Sequence, residues 1–114
     1  MSIDSFSDNG TAIVALTKKG VALGRRLMPL LPGSHLYLPE KFAAEGNPSE
    51  HSFLPPTEEV VREVFHLYRY LVLIMAVGIA VRLIAAELRD KHQDPGVVAV
   101  DDAGTFSVSL LSGH

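Results

Sequence analysis

The chain has 114 residues, of which 47% are apolar, and its 10 Lys and Arg against 13 Asp and Glu give a net charge of −3. That length suits one hydrophobic core and not two, and a weakly acidic balance gives no electrostatic reason to expect nucleic acid. With no cysteine, disulfides, thiolate metal sites and cysteine nucleophiles are excluded, and a reducing cytoplasm is the expected compartment.

Residues 1–10 are polar and acidic, without the basic segment and apolar run of an export signal, and read as a flexible leader before a domain over 11–114. Thr11 to Leu16 then read as a first strand in which Ala12 to Leu16 form a continuous apolar run, as expected of a parallel strand buried on both faces. Thr17 is placed to cap a helix with Val21, Leu23, Leu27, Leu30 and Leu31 mainly on one side, while Lys18, Lys19, Arg25 and Arg26 face solvent. Pro32-Gly33 stops it, unless Pro29 does so first.

Ser34 to Leu38 reads as a short second strand near an edge, followed by the longest irregular segment, with Pro39, Gly46, Asn47, Pro48, Pro55 and Pro56. Thr57 is expected to cap a second helix, with Glu58 and Glu59 in its first turn and Val60, Val61, Val64, Phe65 and Tyr68 at helical spacing. Tyr70 to Ala76 reads as a third strand. Gly78 reads as a tight turn into a third helix ending near Leu88 or Arg89. The apolar stretch Leu71 to Val81 lies between Arg69 and Arg82, too short for the ~20 residues needed to span a bilayer, so no membrane partner is expected. After Asp90 to Gly96, Val97 to Val100 and Thr105 to Leu110 form a hairpin around Asp101-Asp102-Ala103-Gly104. The order predicts a three-layer α/β domain, flavodoxin-like or Rossmann-like, with a mostly parallel sheet and a C-terminal antiparallel hairpin.

In such sheets ligands bind beyond the carboxyl ends of the strands. That rule selects Thr17-Lys18-Lys19-Gly20 and Ala76-Val77-Gly78-Ile79, with Arg82 one turn into the following helix. Gly78 is read as permitting a positive φ and close approach of an anion. Arg89-Asp90-Lys91-His92-Gln93-Asp94 combines a histidine with carboxylates and can exchange protons near neutral pH, though a solvated loop has the same composition. The five histidines show neither i, i+4 nor His-x-His spacing, so no metal site is expected. No dinucleotide, P-loop or nucleophile-elbow motif occurs.

Residues Leu73 to His114 resemble the signature region of the CbiG family, the cobalt-precorrin-5A hydrolases of anaerobic cobalamin biosynthesis. The resemblance rests on Ile74-Met75-Ala76, Gly78-Ile79, Val81-Arg82, Asp90-Lys91-His92, Asp94-Pro95, Val100-Asp101, Gly104 and the run Ser109 to His114. Ala12 to Gly20 and Tyr37 with Pro39-Glu40-Lys41-Phe42 resemble the family's opening elements more loosely. The chain departs from it at Val77, where a polar residue is expected, and at Gly96, where alanine is usual.

The resemblance implies hydrolytic opening of the ring-A lactone of cobalt-precorrin-5A, with loss of acetaldehyde, to give cobalt-precorrin-5B. Cobalt then arrives inside the substrate and no separate cofactor is needed. Thr17, Lys18, Lys19, Gly78, Ile79, Arg82 and Lys91 become candidates for receiving the corrinoid's carboxylates, and His92, Asp90, Asp94, Ser112 and His114 become catalytic candidates. In the family the Ser-Gly-His motif continues into a further domain, so a truncated chain is expected, with that domain or another corrin-pathway enzyme as partner. A non-catalytic corrinoid-binding or interaction module is the competing reading, and a flavin-binding domain a remoter one.

Overall fold

The computed structural model describes residues 10–112. The expected leader lies outside these, apart from Gly10, and so does His114. One sheet of six strands runs through the molecule: β1 (Thr11–Ala15), β2 (His35–Pro39), β3 (Glu50–Phe53), β4 (Tyr70–Ile74), β5 (Gly96–Val100) and β6 (Ser107–Ser112). Their spatial order is β3-β2-β1-β4-β5-β6, with every pairing parallel except β5 with β6. This is the strand order of a Rossmann-like sheet, whose direction of winding reverses between β1 and β4. The expected layered α/β domain with a C-terminal antiparallel pair is what forms.

Alternation along β1 explains the three layers. Ala12 and Val14 project into one core with Val61, Val64, Phe65, Leu71, Leu73, Ala80 and Ile84, beneath α2 (Thr57–Leu67) and α3 (Val77–Ala85). Ile13 and Ala15 project into the other, with Leu36, Leu38, Val21 and Leu23, beneath α1 (Lys18–Leu27). All four β1 side chains are fully buried, which is why the strand reads as an unbroken apolar run and not as an alternating one.

Helix α1 lies close to the sheet because Gly24 faces it. A Cβ there would stand 2.7 Å from Cδ1 of the buried Leu36. The helix ends at Leu27, where Met28–Leu30 tightens into a 3-10 turn containing Pro29. The turn that follows α3 is tied to α2 through Glu87, which meets His66 Nε2 at 2.9 Å and Arg62 Nε at 3.5 Å.

Several boundaries differ from the sequence reading. The irregular segment contains β3, parallel to β2, which makes β2 an interior strand. With the sequence Glu-His-Ser-Phe, β3 has no apolar run to betray it, and polar residues are what a sheet edge usually carries. Helix α2 starts one residue early: Thr57 is its first residue, and Pro56 takes the cap position with no side-chain bond. Gly78 is not a positive-φ turn; it is the second residue of α3, and among the described residues the glycines of positive φ are Gly33, Gly46 and Gly104. Helix α3 stops at Ala85, short of Leu88. Among the described residues no helix is long and apolar enough to cross a membrane.

Candidate functional site

Thr17 leaves the carboxyl end of β1 in an extended conformation and starts α1. Its Oγ1 accepts from the Gly20 backbone N–H at 2.9 Å, the capping bond its position in the sequence predicts. The same hydroxyl donates to Asp102 Oδ2 at 3.2 Å, across 85 residues of chain. Asp102 sits in the turn after β5, whose shape is set by its neighbours. Asp101 Oδ1 accepts from Phe106 N at 2.6 Å, Gly104 N donates to Asp101 O at 2.9 Å, and Asp101 N donates to Phe106 O at 3.2 Å. Gly104 holds φ 73° with a would-be Cβ 3.4 Å from Leu23 of α1, so the turn needs the left-handed conformation that glycine adopts freely.

These loops enclose a cleft of ≈ 290 Å³ lined by Leu16, Thr17, Ile74, Met75, Ala76, Ile79, Asp101 and Asp102. It opens at the carboxyl ends of β1, β4 and β5 and straddles the β1–β4 reversal, where this architecture places ligands. One wall is the start of α3. Ala76 precedes it without a side-chain cap, so the first backbone N–H groups of the helix have no partner within it. A Cβ on Gly78 would meet nothing within 4 Å, leaving this helix start open to approach. Lys18 and Lys19 open α1 directly after Thr17, and Arg82 is the sixth residue of α3; all three are exposed and form no ion pair among the described residues. The cleft thus combines an apolar floor, a carboxylate pair and a helix start, with cations outside.

Of the sequence candidates, Thr17, Lys18, Lys19, Gly78 and Ile79 lie where α1 and α3 leave this end of the sheet, with Thr17 and Ile79 lining the cleft itself, while Arg82 stands in the last turn of α3. The Asp90–Asp94 loop does not join them. It precedes Gly96 at the amino end of β5, and Gly96 N donates to Arg69 O just before β4, so Lys91, His92, Asp90 and Asp94 stand at the opposite end. Ser112 pairs with Gly96 at that same far end, because β6 runs antiparallel; it lines a separate hollow of ≈ 440 Å³ with Thr11 and Tyr70. Five strand residues at ~3.3 Å each separate the two ends by about 16 Å. The binding and catalytic candidates are therefore not assembled into one cleft.

The loop carboxylates at the far end serve local structure: Asp90 Oδ1 accepts from His92 N and Gln93 N at 2.7 and 3.0 Å, and both Asp94 oxygens accept from Arg89 N at 3.1 Å. The sequence reading gives Asp101 and Asp102 to the hairpin turn, with Asp101 also among the residues of the resemblance, and assigns neither to the site. The strand-end rule that selected the loops after β1 and β4 applies equally to the loop after β5, so a signal for them existed.

A second polar cluster was not expected. His35 Nδ1 and His51 Nε2 lie 2.9 Å apart with stacked rings, beside Tyr37 OH and Tyr68 OH at 2.8 Å. Burial, then the neighbouring His35, lowers the pKa of His51 below the usual imidazole value. Among the described residues no group of three or more His, Asp or Glu is arranged to hold a metal ion.

Residues 59–114 match the family described as Cobalamin synthesis G N-terminal. The chain is 38% identical over 106 residues to the cobalt-precorrin-5A hydrolase of Priestia megaterium, covering 90% of this chain and 28% of that protein. It is 41% identical over 113 residues to the cobalt-precorrin-5A hydrolase of Salmonella typhimurium, covering 98% of this chain and 31% of that protein. It therefore spans under a third of the length of the curated relatives it matches. The fold is shared with a solved structure from Sulfolobus solfataricus described as a cobalamin biosynthesis protein G homolog, at TM-score 0.65 and 20% identity over 98% of this chain and 32% of that one. The chain belongs to the cobalamin synthesis G N-terminal family.

Proposed function

We propose that this chain supplies the substrate-receiving end of a cobalt-precorrin-5A hydrolase in cobalamin biosynthesis. The reaction is hydrolytic opening of the ring-A lactone with release of acetaldehyde, giving cobalt-precorrin-5B. The cleft at the β1–β4 reversal carries the proposal. At ≈ 290 Å³ it falls just short of the ~300–1,000 Å³ of pockets that engulf a drug-sized ligand, so it receives one edge of a macrocycle and leaves the rest outside.

That edge would meet Thr17, Ile79 and the open helix start at Gly78, while Lys18, Lys19 and Arg82 receive the peripheral carboxylates of the corrinoid. Cobalt enters as part of this substrate, and no resident cofactor is invoked. The names of the two curated relatives support the reaction. Because those relatives extend well beyond the matched length, the proposed protein partner is a further domain of the same enzyme or another enzyme of the pathway. The proposed compartment is the cytoplasm, in keeping with a chain without cysteine.

Anaerobic incubation with cobalt-precorrin-5A tests the reading, following acetaldehyde and the mass of the corrinoid product beside a binding titration. Turnover supports it. Binding without turnover assigns these residues to recognition alone, and a folded sample that does neither removes the proposal for this chain.

A further inference from the structure

We infer that Asp102 is the base that activates water for lactone opening and that Thr17 is its positioning residue; this rests on the proposed reading of the cleft. Of the side chains lining it, only Asp101 and Asp102 can exchange a proton as carboxylates, and no histidine, serine or cysteine is among them. Asp101 is committed to the turn through its 2.6 Å bond from Phe106 N. Asp102 has one oxygen, Oδ2, held by the Thr17 hydroxyl at 3.2 Å, while Oδ1 has no hydrogen-bond partner among the described residues.

Thr17 is poorly placed to be the nucleophile itself. Its oxygen already accepts the Gly20 N–H at 2.9 Å, which withdraws electron density from the atom that would attack. Its two bonds serve instead to fix Asp102 to the start of α1. The turn is held from the other side as well, by Gly104 against Leu23 and by the β5 end, where Met75 N donates to Val100 O at 2.9 Å. A carboxylate oriented by its surroundings, with one oxygen available, is what a general base requires.

The step balances without a co-reactant. Asp102 Oδ1 takes a proton from water as the water oxygen bonds to the lactone carbonyl carbon. The carbon–oxygen bond of the ring breaks, and the departing ring oxygen takes the proton back from Asp102. One water is added, giving a carboxyl group and a hydroxyl group.

The test measures kcat, KM and corrinoid Kd for this chain with cobalt-precorrin-5A, for wild type and for Asp102→Asn, Thr17→Val and Thr17→Ser, each checked for wild-type circular dichroism. Loss of a general base predicts that Asp102→Asn lowers kcat by about 10²–10⁴-fold. Its KM and Kd should stay within about threefold, since the lost interaction belongs to the transition state. Thr17→Val should lose about tenfold in kcat, because the carboxylate remains but is no longer held, and Thr17→Ser should recover most of that. Asp102→Asn turning over at the wild-type rate overturns the inference and leaves the proposed function standing. Thr17→Val falling as far as Asp102→Asn, with no recovery in Thr17→Ser, overturns the positioning role. A folded wild-type chain that binds without turnover overturns the inference together with the catalytic reading.

Discussion

Arg25 on α1 and Glu50 at the start of β3 form a two-point ion pair, Nε to Oε2 and Nη2 to Oε1, both at 3.0 Å, with the Glu50 side chain 9% exposed. The bond from Glu50 raises the Arg25 pKa above its ordinary value, against the opposing effect of burial. Arg25 Nη2 also donates to Phe42 O at 3.2 Å, so one side chain pins both the irregular segment and the edge strand to the first helix.

Replacing Arg25 with Ala leaves the Glu50 carboxylate enclosed without its cation. The expected loss is about 1–2 kcal/mol, discounted because the guanidinium itself is partly exposed. Urea unfolding should show a lower midpoint with an unchanged slope. Hydrogen exchange should quicken first in β3, and an unaltered midpoint would show that the pair contributes nothing net.

Gly24→Val should be more damaging than the helix preference of valine predicts. Its first added carbon would stand 2.7 Å from a Leu36 methyl that is itself fully buried, so either Leu36 re-packs or α1 moves off the sheet. Overpacking of this kind costs about 1–3 kcal/mol. Thermal unfolding checks it; a Tm at or above wild type would mean that Leu36 can re-pack.

Stability should fall on mild acidification because of His51. Its folded-state pKa lies below the ordinary 6.5, so between those two values the unfolded chain binds the proton more readily than the folded one. The contribution is complete above about pH 6.5 and is lost as pH falls through the lowered value. Urea midpoints between pH 7.5 and pH 5 should decline for wild type and decline less for His51→Phe, which keeps a ring beside Tyr37.

Arg82→Ala should weaken cobalt-precorrin-5A binding by about 3–10-fold, the scale of one exposed charge-assisted contact, without lowering Tm. The wild-type advantage should shrink as salt is raised. Equal affinities at low ionic strength would remove Arg82 from the proposed site.

Much of this was legible in the sequence for a definite reason. Where burial and local chemistry coincide, as in β1 with its apolar run or Thr17 ahead of α1, the pattern alone locates the element. Strand β3 escaped because its hydrogen bonds are its main qualification: Leu36 N reaches Ser49 O at 2.9 Å and the ladder follows, without an apolar face to advertise it. Gly78 was misread because glycine suits both a turn and an uncrowded helix start, and only the backbone distinguishes them.

Composition and hydrophobic order by themselves determined a layered α/β domain with a largely parallel sheet, and the resemblance over Leu73 to His114 indicated the family. Which loops share an end of the sheet was decided only by the tertiary structure. Asp102 meets Thr17 across 85 residues, while the Asp90–Asp94 loop, closer to Asp102 in sequence, is carried to the far end by β5. Strand direction, which depends on pairings made along the whole sheet, sets that arrangement, and no local run of residues encodes it.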